Sequence, residues 1–206
     1  MAHSPVRGQP GLDQRPDGRR ERSRATRDRI IAALLALVRD GNYMPSAAQV
    51  ADTAEVGLRT VFRHFDEIDA LYREIATHLE LQVMPLILQP FAAQDWQGRL
   101  REMIGRRVEV YEIILPFRIA ASVRRFQSDF LLEGYNRQLQ LERTALHAIL
   151  PPAVIGNAAM AGAIEVALSF QCWRRLRHDQ GLALEPSRAV VETMIEALIL
   201  AIDQHP

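Results

Sequence analysis

The stretch that most restricts the fold is residues 46–65, SAAQVADTAEVGLRTVFRHF, because it has room for two short helices and a tight turn and for nothing longer. Ser46-Ala-Ala-Gln49 has the capping-box form, in which the serine hydroxyl accepts from the backbone N–H three residues on while Gln49 reaches back to the serine N–H. A helix therefore starts at about Ala47. Its apolar positions, Val50, Ala51 and Ala54, lose their phase at Glu55-Val56-Gly57, so it ends by about Ala54. A second helix begins near Leu58 and is equally short, with Val61, Phe62 and Phe65 available to pack and Gly57 as an acceptable N-cap.

Upstream, Ile30, Leu34, Leu37 and Val38 line one face of a longer helix from Ala25, and Gly41 supplies its stop. Two short helices separated by a turn and braced by a longer first one make the three-helix form of the helix-turn-helix. Asp66 and Asp69 suit the positive end of a fourth helix, which carries Ile68, Leu71, Tyr72, Ile75 and Leu79 until Pro85 ends or kinks it. After a short apolar piece to about Phe91, the pattern predicts helices at roughly 95 to 115, 117 to 126, 128 to 149, 157 to 178 and 187 to 204. Pro116, Pro151-Pro152 and Gly181 punctuate them. No sustained alternation reads as a strand, so the expected fold is all-α. The expected organisation is a flexible Arg/Pro/Gly-rich tail over 1–24, a helix-turn-helix DNA-binding domain over 25–66, and a helical regulatory and dimerisation domain over 67–206.

Net charge is zero, but residues 1–65 hold 11 arginines against seven acids, and the remainder holds 14 against 18. A cationic front on an anionic body suggests that the front meets a polyanion. Every basic residue is arginine. The single cysteine, Cys172, has no intramolecular partner, and no leader of secretory type opens the chain, so the expected compartment is the cytoplasm. The longest apolar runs, such as Ala197 to Ile202, fall short of the roughly 20 residues of a membrane helix, so no membrane role is expected.

In a helix-turn-helix the third helix enters the major groove while the second crosses the DNA backbone. The expected DNA contacts are Ser46, Gly57, Leu58, Arg59, Thr60, Phe62, Arg63 and His64. Arg59 can pair bidentately with guanine O6 and N7, and the Thr60 methyl can touch thymine. Ser46 and His64 are placed for phosphate, which positions the protein without reading sequence. The expected partner is double-stranded DNA with a pseudo-palindromic site, and two recognition helices one DNA turn apart on such a site would require a homodimer.

In the body, Trp96, Met103, Tyr111, Phe117, Phe130 and His147, with Arg118 as an anion partner in an otherwise apolar stretch, are the candidates for a small-molecule site. Phe126 and Tyr135 belong to the same aromatic set. The last two helices carry stripes, Ala159, Ala163, Val166, Phe170 and Trp173 on one and Val190, Met194, Ala197, Leu198 and Ala201 on the other, which suit a core; the family resemblance described below implies that they also form a dimer seam. No GxGxxG, Walker loop, HExxH or GxSxG occurs, and neither Cys172 nor the six histidines have metal-ligand spacing, so no catalysis, cofactor or metal is expected. Two other readings remain open: a small-molecule-binding helical protein with a weakened DNA-binding domain, and an all-α enzyme with a site among the body's aromatics.

Thr26 to Leu71 resembles the DNA-binding domain of the TetR family of bacterial transcriptional regulators. The matching residues are Arg27, Ile30, Ala33 and Gly41-Asn-Tyr43, then Val50-Ala51 and Ala54, then Thr60-Val-Phe-Arg-His-Phe65 and Ala70-Leu71. The resemblance implies an all-α homodimer joined through its last two helices, a body that binds a small-molecule effector, and a repressor released from its operator by that molecule. This chain departs from the family's pattern in four places. It has Glu55 where Gly is common, Gly57 for Ser, Phe62 for Tyr and Ile68 for Lys, so a phosphate hydrogen bond and a cationic contact are missing. The arginine-rich tail and first helix are expected to compensate.

Overall fold

Where caps, glycines and tertiary packing fall along the chain decides the lengths of the helices. The computed structural model describes residues 18–65 and 68–204, and these form ten α-helices, one 3-10 turn and one π turn, with no strand among the described residues.

Helix α1, Gly18–Arg39, begins well before the expected start at Ala25. Residues 18–24, assigned above to a tail, are helical, and the rest of that tail lies outside the described residues. The reason is cooperative: once Ile30 and Leu34 are buried, extending the helix towards the N-terminus adds one hydrogen bond per residue fixed, and the Arg-Arg-Glu-Arg run consists of good helix formers. At the other end Gly41 takes a φ of +90°, and the N–H groups of Gly41 and Asn42 donate to the carbonyls of Val38 (3.2 Å) and Leu37 (3.0 Å). That is a left-handed glycine terminus.

α2 spans Ala47–Thr53 and α3 Leu58–His64, as expected. Both halves of the capping box form: Gln49 N–H donates to Ser46 Oγ (3.2 Å) and Ser46 N–H to Gln49 Oε1 (2.9 Å). Ile30, Leu34, Val38, Val50, Ala51, Val61 and Phe65 are buried together as the core of a three-helix platform.

α4 is Ile68–Ile87 and runs past Pro85, which neither ends it nor stops the Leu88 N–H from donating to the Met84 carbonyl at 2.9 Å. Pro85 falls in the last turn, and the carbonyl it leaves without a donor belongs to Leu81, which is exposed to water. α5, Trp96–Arg124, is one helix of 29 residues where two were expected on either side of Pro116. Tyr111, Ile114, Ile119 and Ala120 are buried on both sides of the proline, so packing holds the two segments in line despite the lost hydrogen bond. A 3-10 turn, Arg125–Gln127, leads to α6, Asp129–His147, which Ser128 caps.

The expected helix over 157–178 is divided. A short helix that the pattern does not predict, α7, Pro152–Gly156, precedes it; α8, Ala158–Ala167, is followed by a break at Leu168-Ser169, then α9, Phe170–Arg174, and a π turn, Arg175–Asp179. Ser169 makes the break. Its Oγ donates to the Val166 carbonyl (2.8 Å) and accepts from the Cys172 N–H (3.1 Å), so it closes one helix and caps the next. α10, Leu184–Gln204, starts earlier than expected because Pro186 is tolerated in a first turn, where its missing N–H has no intrahelical partner to lose. α5 is the hub: α1, α4, α6, α9 and α10 all pack on it, and α8 packs on α10.

Candidate nucleic-acid interface

At 3.6 residues per turn the exposed half of α3 carries, in angular order, Leu58, Phe62, Arg59 and Arg63, while Thr60 and His64 lie at the rim and Val61 faces the core. Arg59 and Arg63 are exposed and have no ion pair or hydrogen bond among the described residues. Thr60 is half-buried, so it is less available to a ligand than Arg59. Leu58 and Phe62 are 45% and 49% exposed and, one turn apart, lie side by side as an apolar patch on the solvent face. A Cβ added at Gly57 would meet only Thr60 Oγ1, at 3.9 Å, so the backbone there does not require glycine. Ser46 is exposed at the start of α2, its oxygen engaged by the cap and its own proton still free to donate.

Two arginines of α1 hold α3 in place, and sequence reasoning gave neither of them this role. Arg27 donates from Nη1 to the His64 carbonyl (3.1 Å) and from Nη2 to Glu74 Oε2 (2.9 Å), and its guanidinium stacks 4.5 Å from the Phe65 ring centre. It thus ties the end of α3 to α4. Arg29 Nη2 donates to the carbonyls of Ala54 and Glu55, the latter at 2.9 Å. Glu55 has a φ of 52°, the left-handed region that costs a side-chain-bearing residue roughly 1–2 kcal/mol. Arg29 therefore clamps the turn at the position where the TetR pattern has glycine. The only sequence signal was the departure itself.

Burial lowers the His64 pKa below its ordinary value, and Arg63 and Arg27 push it further the same way. The imidazole is neutral in the free protein near pH 7, and a phosphate brought against it would favour the charged form.

Among the described residues, polar contacts tie the three-helix platform to the rest of the chain, the Arg27–Glu74 pair among them, and brace its neighbour α4 on the body. Tyr43, in the loop after α1, stands edge-on to His178 of the π turn, ring centres 5.3 Å apart, with its hydroxyl 3.4 Å from Nδ1. Asp69, in the first turn of α4, accepts from Ser128 Oγ at 2.6 Å and pairs with Arg124 at 3.6 Å, joining α4 to the α5–α6 corner.

Within the body, Arg118 pairs with Glu142 (2.9 Å, side chains each 12% exposed) and lies 4.0 Å from the Phe170 ring centre. Arg107 donates to the carbonyls of Leu168 and Glu142, both at 2.7 Å, and the Tyr111 hydroxyl donates to the Leu168 carbonyl at 2.9 Å. The break between α8 and α9 is thereby stitched to α5 and α6. A second knot surrounds Glu112, which accepts from Trp173 Nε1 (2.8 Å) and from Arg177 Nε and Nη2 (both 2.9 Å). Burial pushes its carboxyl pKa up, but the hydrogen bonds from Arg177 and Trp173 outweigh that and hold it below the usual range.

Of the candidate ligand residues, the structure brings Tyr111 and Arg118 together around Phe170 and Glu142, with Arg118 already paired. Phe117 packs instead against Tyr72 of α4 at 5.7 Å, and Phe130 lies under Arg73 at 4.8 Å. Met103 is core, Trp96 opens α5, and His147 ends α6. These do not converge. The cavity beside Tyr111 and Arg107, bounded by Ile104, Leu168, Trp173 and Val191, measures about 10 Å³, room for about one water. The Tyr72 hydroxyl is buried without a hydrogen-bond partner among the described residues, a polar group that periodicity could not distinguish from core. Phe170 and Trp173, expected along the dimer seam, are core residues at 3% and 2% exposure; Val166, Val190 and Ala197 from the same stripes are exposed.

Among the described residues no cluster of histidine, cysteine, aspartate and glutamate could hold a metal ion, and no helix is long and apolar enough to cross a membrane.

No protein-family model matches the sequence, and no curated protein matches it significantly. Solved structures do. A transcriptional regulator from Rhodococcus sp. Rha1 superposes with a TM-score of 0.65 at 18% identity, over 85% of this chain and 96% of that one. A candidate transcriptional regulator from Streptomyces coelicolor A3(2) gives 0.54 at 17% identity, over 82% and 98%. The multidrug binding protein EbrR, complexed with imidazole, gives 0.51 at 20% identity, over 87% and 90%. The chain has the all-α fold of these regulators along nearly their whole length, consistent with the resemblance to the TetR family carried by residues 26–71.

Proposed function

We propose that this protein is a TetR-type, sequence-specific DNA-binding transcriptional regulator that works as a homodimer and is released from a pseudo-palindromic operator by a small molecule. The observation that carries the reading is the solvent face of α3, where Arg59 and Arg63 stand exposed and, among the described residues, unpaired, on a helix whose opposite face is held by core packing, whose end is tied by Arg27 and whose preceding turn is held by Arg29. A rigid element that leaves its guanidinium groups free suits bidentate reading of guanine and neutralisation of phosphate.

The homodimer is supported by the exposed apolar side chains of α8 and α10, Val166, Val190 and Leu200, on the helix pair that the resemblance assigns to the interface. Effector control is supported by the way the body is closed. Leu168-Ser169 breaks a helix at the centre of the body, and Arg107, Tyr111, Arg118 and Glu142 hold the break through groups that a ligand could replace. Movement there has two routes to the platform: along α5 to Arg124 and Asp69 of α4, which Glu74 ties to Arg27 of α1, and along α9 to His178 and Tyr43.

The reading is tested by selecting duplexes from a randomised library and comparing the recovered site with a scrambled one in gel shifts. Preference for the recovered site, a steep loss of affinity with added salt and a two-fold repeat in the site are expected. Equal affinity for scrambled DNA contradicts it.

A further inference from the structure

Leu58 and Phe62 lie four residues apart and so form one stripe on α3, immediately beside the stripe of Arg59 and Arg63. Val61 and Phe65 already supply this helix's contribution to the core, so packing does not account for the two exposed side chains. Their neighbours name the occupant of that face: two guanidinium groups on the same exposed arc, unpaired among the described residues, call for a polyanion, and the arc as a whole is half apolar and half cationic. Duplex DNA answers both halves. Its backbone and guanine edges take the arginines, and the one apolar group that base edges present in the major groove is the C5-methyl of thymine.

We propose that Leu58 and Phe62 read thymine methyl groups in the major groove, next to a guanine read by Arg59, so that each half-site carries an obligatory A·T step beside a G·C pair. The assignment rests on the DNA-binding reading above and adds a base identity to it. Selectivity has two sources. A methyl placed against these side chains gains roughly the transfer free energy of one buried CH₂, worth about four-fold in affinity. Any other base edge in the same place has its polar groups stripped of water by Leu58 and Phe62 with nothing offered in return, which is the more severe loss.

The test uses the full chain and a duplex recovered by selection, with each thymine replaced singly by deoxyuridine, which removes the methyl and leaves base pairing intact. Expected is a loss of about four-fold at one or two thymines per half-site and none elsewhere. Leu58→Ala and Phe62→Ala, checked by unchanged thermal unfolding, should bind the thymine and uracil forms of the corresponding position alike. If the recovered duplex binds equally well with every thymine replaced while a scrambled duplex still binds weakly, the methyl assignment is wrong and the regulator reading stands. If no preferred duplex is recovered at all, both fall.

Discussion

Arg59 and Arg63 on α3 reach into solvent with no partner among the described residues, whereas Arg107, Arg118 and Arg177 of the body are each committed to carboxylates or backbone carbonyls inside the fold. The chain has no lysine, so one residue type serves two ends. In the body, the planar guanidinium fork caps carbonyls left at the α8–α9 break and pairs with Glu142 and Glu112, a job for which its fixed geometry suits it. On the platform, Arg27 and Arg29 do similar internal work so that the arginines of α3 need not. The difference separates residues that maintain the fold from residues available to a ligand.

The largest expected effect lies on the side of the body. Trp173→Ala removes a core indole and a donor to Glu112, and denaturant unfolding should show a loss of about 3–5 kcal/mol. Glu142→Ala strands Arg118, which is largely buried, and should cost on the order of 3 kcal/mol in the same assay, with Glu142→Gln losing less. A small loss for both would mean that the body's arginines are as free as those of α3, and the contrast would collapse.

The reverse pattern is expected on the platform. Arg59→Ala should weaken binding to the selected duplex by about 1–3 kcal/mol and relax base preference, while shifting unfolding by no more than about 0.5 kcal/mol. Glu55→Gly sharpens the comparison from the other direction, since it relieves a left-handed backbone at the cost of glycine's extra chain entropy. A gain of up to about 1 kcal/mol in stability is expected, with less dependence on Arg29.

The smallest effect concerns His64. Its folded pKa is depressed, so its stabilising contribution is present above the ordinary histidine range near pH 6.5 and is lost as pH falls through that value and then through the lower folded one. Binding runs the other way. A phosphate contact would raise the pKa, so DNA affinity should rise slightly as pH falls from 7.5 to 6, and His64→Ala should remove that slope.

Legibility in the sequence followed the range of the forces involved. Ser46 with Gln49, Gly41, and the limits of α2 and α3 rest on neighbours three to five residues away, and the residues alone place them correctly. Pro116 misled because a proline's effect inside a helix depends on what packs against it, here the buried residues on both sides. The break at Ser169 was invisible because a serine in an apolar run caps a helix only where tertiary contacts bend the chain, and Leu168 is bent towards Arg107 and Tyr111, some 60 residues away. The aromatics among the ligand candidates lie at helical spacing, a pattern that core packing produces as readily as a pocket, and Tyr111, Phe117 and Phe130 pack against neighbouring helices. The positioning roles of Arg27 and Arg29 depend on contacts 25 to 47 residues distant, beyond any local pattern.

The most direct test of the central claim, that α3 is a rigid mount for free guanidinium groups aimed at a duplex, is a fluorescence anisotropy titration. Wild type and Arg59→Ala are compared on the selected and scrambled duplexes over a range of salt concentrations. The account predicts that the substitution erases most of the preference for the selected duplex, leaves scrambled binding nearly as it was, and keeps a steep salt slope in both proteins. Unchanged preference in Arg59→Ala, with its unfolding transition intact, would contradict it.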